Sequence, residues 1–407
     1  MEPVLIIGGG IGGLTLALSL HQAGIACRVF EAAPQIRALG VGVNLLPHGM
    51  RELTELGLQD QLTRIAVETK ELCFYNRFGQ FIFKEPRGRS AGYEWPQLSI
   101  HRADLHEVLL QETRRRLGAD SVVLNKKCVS VSEDGEVRFE DGSSVTGSCA
   151  IGCDGIHSAV RKQLFPGEGP PAYQGINMWR GVTHMKPFLA GASMAVAGWL
   201  EAGKMVIYPI RKPDADGLQL VNWVAEIQSP RNVMQDWNLD GRIEDFYPMF
   251  EKWRFDWLDC AAMIRNSEQV LEYPMVDRDP LPWWTRGRIT LLGDAAHPMY
   301  PRGSNGAGQA IIDARTLVGC LVKNKDVEKA LKEYEQARLK AANDLVLMNR
   351  SNPPDAILRE VWKRSGDKPF ARIEDVISNA EMVTLSEAYK KVAGFERESL
   401  ARRGSLV

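Results

Sequence analysis

The chain has 407 residues, 44% hydrophobic and 25% charged, with 50 Lys and Arg against 51 Asp and Glu for a net charge of −1. That balance gives no electrostatic case for nucleic acid or an acidic membrane, and the length allows two or three domains with a large core. Seven Cys without a CxxC pair and seven His without ligand-like spacing argue for reduced thiols, a cytoplasmic protein and no metal.

In chain order, "PVLIIG" (3–8) reads as a buried strand, "GGLTLALSLHQAG" (12–24) as an apolar helix closed by Gly24, and "ACRVFEA" (26–32) as a second strand. Residues 4–20 are also the only membrane-like run. Only "MEP" precedes it, without the Lys or Arg of a signal peptide, and five Gly within six residues suit a turn better than a span. No stable membrane insertion is expected.

Helical patterning returns at 48–65 and 102–118, where "RRR" (114–116) reads as an exposed face. Short alternating runs with "EDGE" and "EDGS" turns mark hairpins over 119–146, and 149–165 is again strand, turn and helix. Residues 171–274 hold strand-like runs such as "INMWRGVTHM", "KMVIYPI" and "LVNWVAEI". They also hold six of the ten Trp, at 179, 199, 223, 237, 253 and 257. An antiparallel sheet with one face open to a ligand accounts for them. "GRITLLGDAAH" (287–297) returns to the first domain. A long helix is predicted over about 304–349, broken by Pro353 and Pro354, with two more helical segments after it.

The predicted fold class is α/β (α+β): a Rossmann-like nucleotide domain, an interleaved antiparallel-sheet domain and C-terminal helices. The division is 1–70, 101–170 and 272–350 for the first, 71–100 and 171–271 for the second, and 351–407 for the last.

Gly8, Gly10 and Gly13 of "GGGIGG" fit GxGxxG. Gly8 permits the turn, Gly10 lets backbone approach a pyrophosphate, and Gly13 allows close helix–strand packing; Ile11 and Gly12 open the helix, whose free N–H groups attract phosphate. Glu31 ends the second strand at the spacing of a ribose-binding carboxylate, with Ala32 beside it. The motif alone does not choose between NAD and FAD.

Two later stretches choose: "CDGIHSAVR" (153–161) and "GDAAHPMYP" (293–301), the second placed at the exit of the apolar run "RITLL". With Arg102 in "SIHRADL", they make the chain resemble the FAD-dependent aromatic hydroxylases over about residues 1–350. Within that family, "MWRGVT" (178–183), "VNWV" (221–224) and "YPMVDRDPLPWW" (273–284) look most like the phenazine-pathway monooxygenases that act on 5-methylphenazine-1-carboxylate. Salicylate and 6-hydroxynicotinate hydroxylases are further neighbours.

The resemblance implies FAD, contacted by the glycines above and by Glu31, Ala32, Arg37, Gly42, Arg102, Cys128, Asp154, Gly155, Gly293, Asp294, Pro301, Gly303, Gly306 and Ala307. Asp294 would take the ribityl chain, Pro301 would lie by the flavin ring, and Gly303 and Gly306 would keep bulk from it. A helix starting near 306 would place its positive end toward the ring. The chain departs from the family's Pro-x-x-Gly-x-Gly, with Ser304 in the glycine's place and the glycine at 303. Asp154 is either a loop anchor or a flavin neighbour, Arg161 either a reductant contact or structural, and His297 scaffold rather than base.

The implied reaction uses NADH or NADPH, a transient partner without a Rossmann domain of its own. A flavin C4a oxygen adduct then hydroxylates a small flat aromatic, with or without decarboxylation. Residues assigned to catalysis are Pro301, Arg180 to pair a substrate carboxylate, and Tyr208 to orient or deprotonate a hydroxyl. Trp179, Met205 and Trp223 are expected beside them in the pocket wall. A homodimer is compatible. The alternatives are a flavin epoxidase or N-oxygenase, a single-Rossmann NAD(P) dehydrogenase, or a non-catalytic FAD binder.

Overall fold

The computed structural model describes residues 2–35, 40–229 and 239–407. Val4–Ile7, four apolar residues buried on both faces, form the middle of a five-stranded sheet. The order is Ile289–Leu291, Cys149–Gly152, Val4–Ile7, Cys27–Phe30, Val122–Val123, and every pairing is parallel. Parallel neighbours need crossovers that cover the sheet, and helix Ile11–Gln22 is the first of these, burying Leu14, Leu16, Leu18 and Leu20. The membrane-like run is therefore strand, turn and helix. Among the described residues no helix is long and apolar enough to cross a membrane.

The second sheet has eight strands in the order Leu239–Asp240, Val270–Asp277, Ala172–Met185, Gln219–Gln228, Lys204–Pro209, Ser193–Gly198, Glu71–Tyr75, Phe81–Pro86. It departs from the expected antiparallel sheet at one place: Ser193–Gly198 runs parallel to Glu71–Tyr75. That pairing joins an early hairpin to the later meander. The strand Val270–Asp277 pairs along Ala172–Met185, so the boundary expected at 271/272 cuts a continuous strand. The return to the first sheet comes after Asp277.

Both faces of this sheet are covered. Trp179, Met205 and Trp223 point to one side, where they pack with Phe246, Phe250 and Trp253. Trp179 stacks on Phe246 at 5.1 Å between ring centroids. Met178, Val206 and Val224, one residue away on the same strands, face the opposite side.

Three helices differ from expectation. The 48–65 pattern is two helices, Pro47–Glu55 and Gln59–Ile65, parted at Gly57 with φ +76°. The long helix is also two, Gly306–Lys323 and Val327–Ser351, because Asp326 caps a new start by accepting from Lys329 N–H at 3.2 Å. The C-terminal region holds three α-helices, Ala356–Ser365, Asn379–Val392 and Arg397–Arg402. All seven Cys are free.

Candidate active site

The glycine turn leaves the first sheet between two strands. Gly8 has φ +109°, and a Cβ there would lie 2.4 Å from the Cys153 carbonyl oxygen; at Gly13 it would lie 2.0 Å from the Gly8 carbonyl. Both positions exclude a side chain. A Cβ at Gly10 would meet nothing within 4 Å, so that glycine keeps open a surface rather than a packing contact. The Glu31 carboxylate accepts from Gly9 N–H at 2.7 Å and Ala33 N–H at 2.9 Å. His106 Nε2 meets the Gly9 carbonyl at 2.7 Å. Ala32 is exposed beside Glu31, and Ile11 and Gly12 stay half-buried at the helix start.

Asp294 and Arg102 lie deep among protein atoms. Burial pushes the Asp294 carboxyl above the ordinary carboxylate range while His297 and Arg102 pull it down. Burial also lowers Arg102, opposed by Asp294. Yet both residues keep exposed surface. A side chain enclosed by protein and still exposed faces an internal trough. Asp154 is half-buried: its Oδ2 accepts from Ala159 N–H at 2.7 Å, while its buried Oδ1 has no partner. Asp154 is thus loop anchor through one oxygen and leaves the other unengaged. Gly155 is half-buried next to it, and Cys128 is buried, its thiol pushed up to about 12 by burial and by Asp154.

Helices Ile11–Gln22 and Gly306–Lys323 both begin without a side-chain cap. Their first N–H groups and positive dipole ends remain available to anionic groups. A Cβ at Gly306 would stand 4.0 Å from Asp294 Oδ1, and one at Gly293 would press on Ala310 at 3.0 Å. Gly306 and Ala307 are half-buried there. The open Gly10 surface, two uncapped helix starts and the trough-facing Asp294 and Arg102 match the needs of a long dinucleotide: backbone donors for phosphates and a carboxylate for a polyol.

Arg161 is resolved as structural. Its guanidinium donates to Glu168 at 2.8 and 2.6 Å and to the carbonyls of Ala295, Ala296 and Asp279. It ties the 153–161 turn to the 293–297 turn and has no donor left for a reductant. His297 is also scaffold, with Nε2 2.6 Å from Asp313 Oδ2. Burial alone would raise Asp313, but His297 and Arg338 overturn that and hold its carboxyl at about 2.

Against the 301–304 turn lies a cavity whose empty space, open mouth included, is about 910 Å³. Leu72, Phe74, Met178, Val196, Val206 and Val224 give it an apolar sheet floor, and the 301–304 turn closes one side. Arg180 and Tyr208 line it, with Arg180 Nη2 donating to the Gly42 carbonyl at 3.0 Å and its positive charge acting on the Tyr208 phenol. Burial raises that phenol above its ordinary value, which leaves it a hydrogen-bonding group and not a base. Trp179, Met205 and Trp223 belong to the far face and do not line the cavity. Strand alternation separates them from Arg180 and Tyr208, and expecting all five in one wall ignored that period.

Gly42 is packed against this sheet. Its N–H donates to Asn222 Oδ1 at 2.7 Å, and a Cβ would press on Tyr208 at 2.7 Å. Both of its backbone groups are therefore taken by the eight-stranded sheet. Arg37 lies outside the described residues. Pro301 is exposed to the cavity. Gly303 (φ +73°) also lines the cavity, and a Cβ on it would fall 2.0 Å from the Tyr389 hydroxyl. Packing against a C-terminal helix is enough to require a glycine there. Ser304 adopts φ +57°, a left-handed conformation costing about 1–2 kcal/mol. Its hydroxyl accepts from Asn44 at 3.2 Å, which offsets about 1 kcal/mol of that.

Sequence reasoning missed several wall residues: Asn44, Lys204, Glu226, Arg302, Asp355, Ser386, Tyr389 and Lys390. Lys204 and Glu226 were legible by parity with Tyr208 and Val224. The C-terminal ones carried no local signal.

A family model described as FAD binding domain matches residues 1–349. The chain is 38% identical over 406 residues to a phenazine 1,6-dicarboxylic acid hydroxylase of Lysobacter antibioticus, covering 96% of each. It is 34% identical over 347 residues to a 3-amino-4-hydroxybenzoate 2-monooxygenase of Streptomyces cremeus, covering 83% of each. HpxO of Klebsiella pneumoniae, solved with FAD and uric acid, superposes with a TM-score of 0.75 at 24% identity, over 98% of this chain and 97% of that one. That last likeness is one of fold.

Proposed function

This chain belongs to the FAD-dependent aromatic hydroxylases, and from that premise we propose that it hydroxylates a flat, carboxylated aromatic or N-heteroaromatic, with NADH or NADPH as reductant. FAD, when bound, supplies the redox chemistry and activates dioxygen for transfer to the ring. The glycine turn and Glu31 hold its adenosine end, Asp294 its ribityl chain, and the uncapped start of Gly306–Lys323 stabilises negative charge at the ring edge. Arg102 and Asp154 would lie along the stretch of cofactor between those ends. The carrying observation is the cavity against Pro301, with its apolar sheet floor and with Arg180 and Tyr208 on its wall.

Each wall has a task. The aliphatic and Met floor receives a flat ring and keeps water out. Arg180 pairs with a carboxylate, and the Tyr208 phenol orients a polar substituent. Its raised pKa keeps it protonated, so proton removal from the substrate does not fall to it. A decarboxylating hydroxylation suits this site, because loss of carbon dioxide restores aromaticity without a base. The phenazine-acting relative makes phenazine carboxylates the first substrates to test.

The test is NAD(P)H consumption over phenazine carboxylates, salicylates and pyridine acids, with product mass. The expected result is substrate-stimulated oxidation and a product that has gained one oxygen atom, with or without loss of carbon dioxide. Failure of every aromatic acid to stimulate oxidation in the FAD-loaded protein would overturn the substrate reading.

A further inference from the structure

We infer that Arg302 is a second anion anchor, so that the cavity favours a ring system carrying acidic groups at two separate edges. The inference rests on the cavity being the substrate site. Arg302 follows Pro301 on the cavity wall and is only 8% exposed. Its Nε and Nη2 have no hydrogen-bond partner. Its guanidinium carbon lies 6.0 Å from the Trp199 ring centroid, which covers one face of the fork and leaves the donor edges free.

The other cations of the wall are accounted for. Arg87 and Lys390 both reach Glu85, at 2.8 and 2.5 Å. Lys204 meets Glu226 at 2.9 Å and also contacts Asp355. Among the described residues, only Arg180 and Arg302 of these cations lack a carboxylate in ion-pair contact. Asp355 is the carboxylate on which Arg302 acts, helping to lower it, but Lys204 is the larger charge there. A buried, planar, unpaired guanidinium is matched by a carboxylate that takes two of its N–H groups at once. Arg180 on the sheet and Arg302 on the turn come from different walls, so each takes its own acidic group.

The probes are phenazine-1,6-dicarboxylic acid, phenazine-1-carboxylic acid and unsubstituted phenazine, titrated into FAD-loaded protein and followed by flavin absorbance. Wild type should bind the diacid about tenfold more tightly than the monoacid, the size of one charge-assisted contact. R302Q should remove most of that ratio and leave the monoacid and phenazine within about twofold. R302K, which keeps the charge but not the fork, should fall between. FAD content serves as the folding control for both variants. Equal weakening of all three probes in R302Q would overturn the anchor and make Arg302 a wall residue acting through Asp355. A wild-type protein without diacid preference would overturn it without any variant. Binding of none of the probes to wild type would sink the phenazine reading, and this inference with it.

Discussion

A strand residue's neighbour is on the other side of the sheet, and at this site that alternation separates ligand contact from core. Trp223 illustrates the core side: it is fully buried, and its Nε1 donates to Thr183 Oγ1 at 3.2 Å and Ser267 Oγ at 3.0 Å. Trp223→Phe removes that donor and should cost about 1–2 kcal/mol of stability, seen in denaturant melts, while ligand affinity stays within twofold. Val224→Phe places bulk on the cavity side and should weaken aromatic ligands at least tenfold with a small stability change. The reverse pattern would mean the cavity lies on the other face. Parity was legible in "MWRGVT" and "VNWV" once Arg180 was chosen. Trp drew attention because of its size, and size does not report a face.

Asp294 belongs to the same scale. Its carboxyl faces a trough although protein surrounds it, a placement that costs desolvation and is explained by a polar partner there. Asp294→Ala and Glu31→Ala should each lower FAD affinity at least tenfold, the loss of a charge-assisted contact. Bound FAD per chain after gel filtration measures it; full occupancy in both would remove these residues from the cofactor site. Glu31 was picked out by its spacing from the glycine turn, Asp294 by the resemblance that "GDAAHPMYP" carries. Asp154's orphaned oxygen was not legible, since a turn Asp and a ligand Asp look identical in sequence.

Between elements, the least visible couplings are polar. His48 opens helix Pro47–Glu55, is fully buried, stacks on Phe395 at 5.3 Å and meets Gln309 of helix Gly306–Lys323 at 3.4 Å. Burial, helped by Arg403 and Arg338, lowers its imidazole to about 3. The folded state therefore disfavours a proton that the unfolded chain accepts near its ordinary pKa of about 6.5. Stability contributed by neutral His48 is present above pH 6.5 and is lost as pH falls from there toward 3. His48→Gln should flatten the decline of denaturant midpoint between pH 6.5 and 4. An unchanged slope would show that other groups dominate acid unfolding. The helix split at 324–326 was open to reading, since Asp326 is a good N-cap. The apolar period continues on both sides and hid it.

For the whole molecule, the family model ends at residue 349, but the cavity does not. Asp355, Ser386, Tyr389, Lys390 and Phe395 complete its wall. Arg403 pairs with Glu52 at 2.5 Å, and its carbonyl accepts from Arg51 at 2.6 Å, pinning the end of the chain to the first domain. None of this was legible, because long-range closure leaves no periodic trace. Tyr389 carries the consequence furthest. Its hydroxyl accepts from Asn305 Nδ2 at 2.9 Å and donates to Asn349 Oδ1 at 2.8 Å, while Gly303 packs on the same oxygen. One phenol thus braces the turn between Pro301 and Gly306 from a helix 84 residues away in sequence. Tyr389→Phe leaves buried amide groups unpaired, a cost of about 1–3 kcal/mol, and frees that turn to shift by tenths of an ångström. A site that must exclude water while oxygen is transferred is sensitive to such movement. The expected outcome is unchanged FAD content, with more hydrogen peroxide and less hydroxylated product per NAD(P)H consumed. If only the melting temperature falls and coupling stays at the wild-type value, the brace serves folding, and the turn is held in register by Asn44 and Ser304 alone.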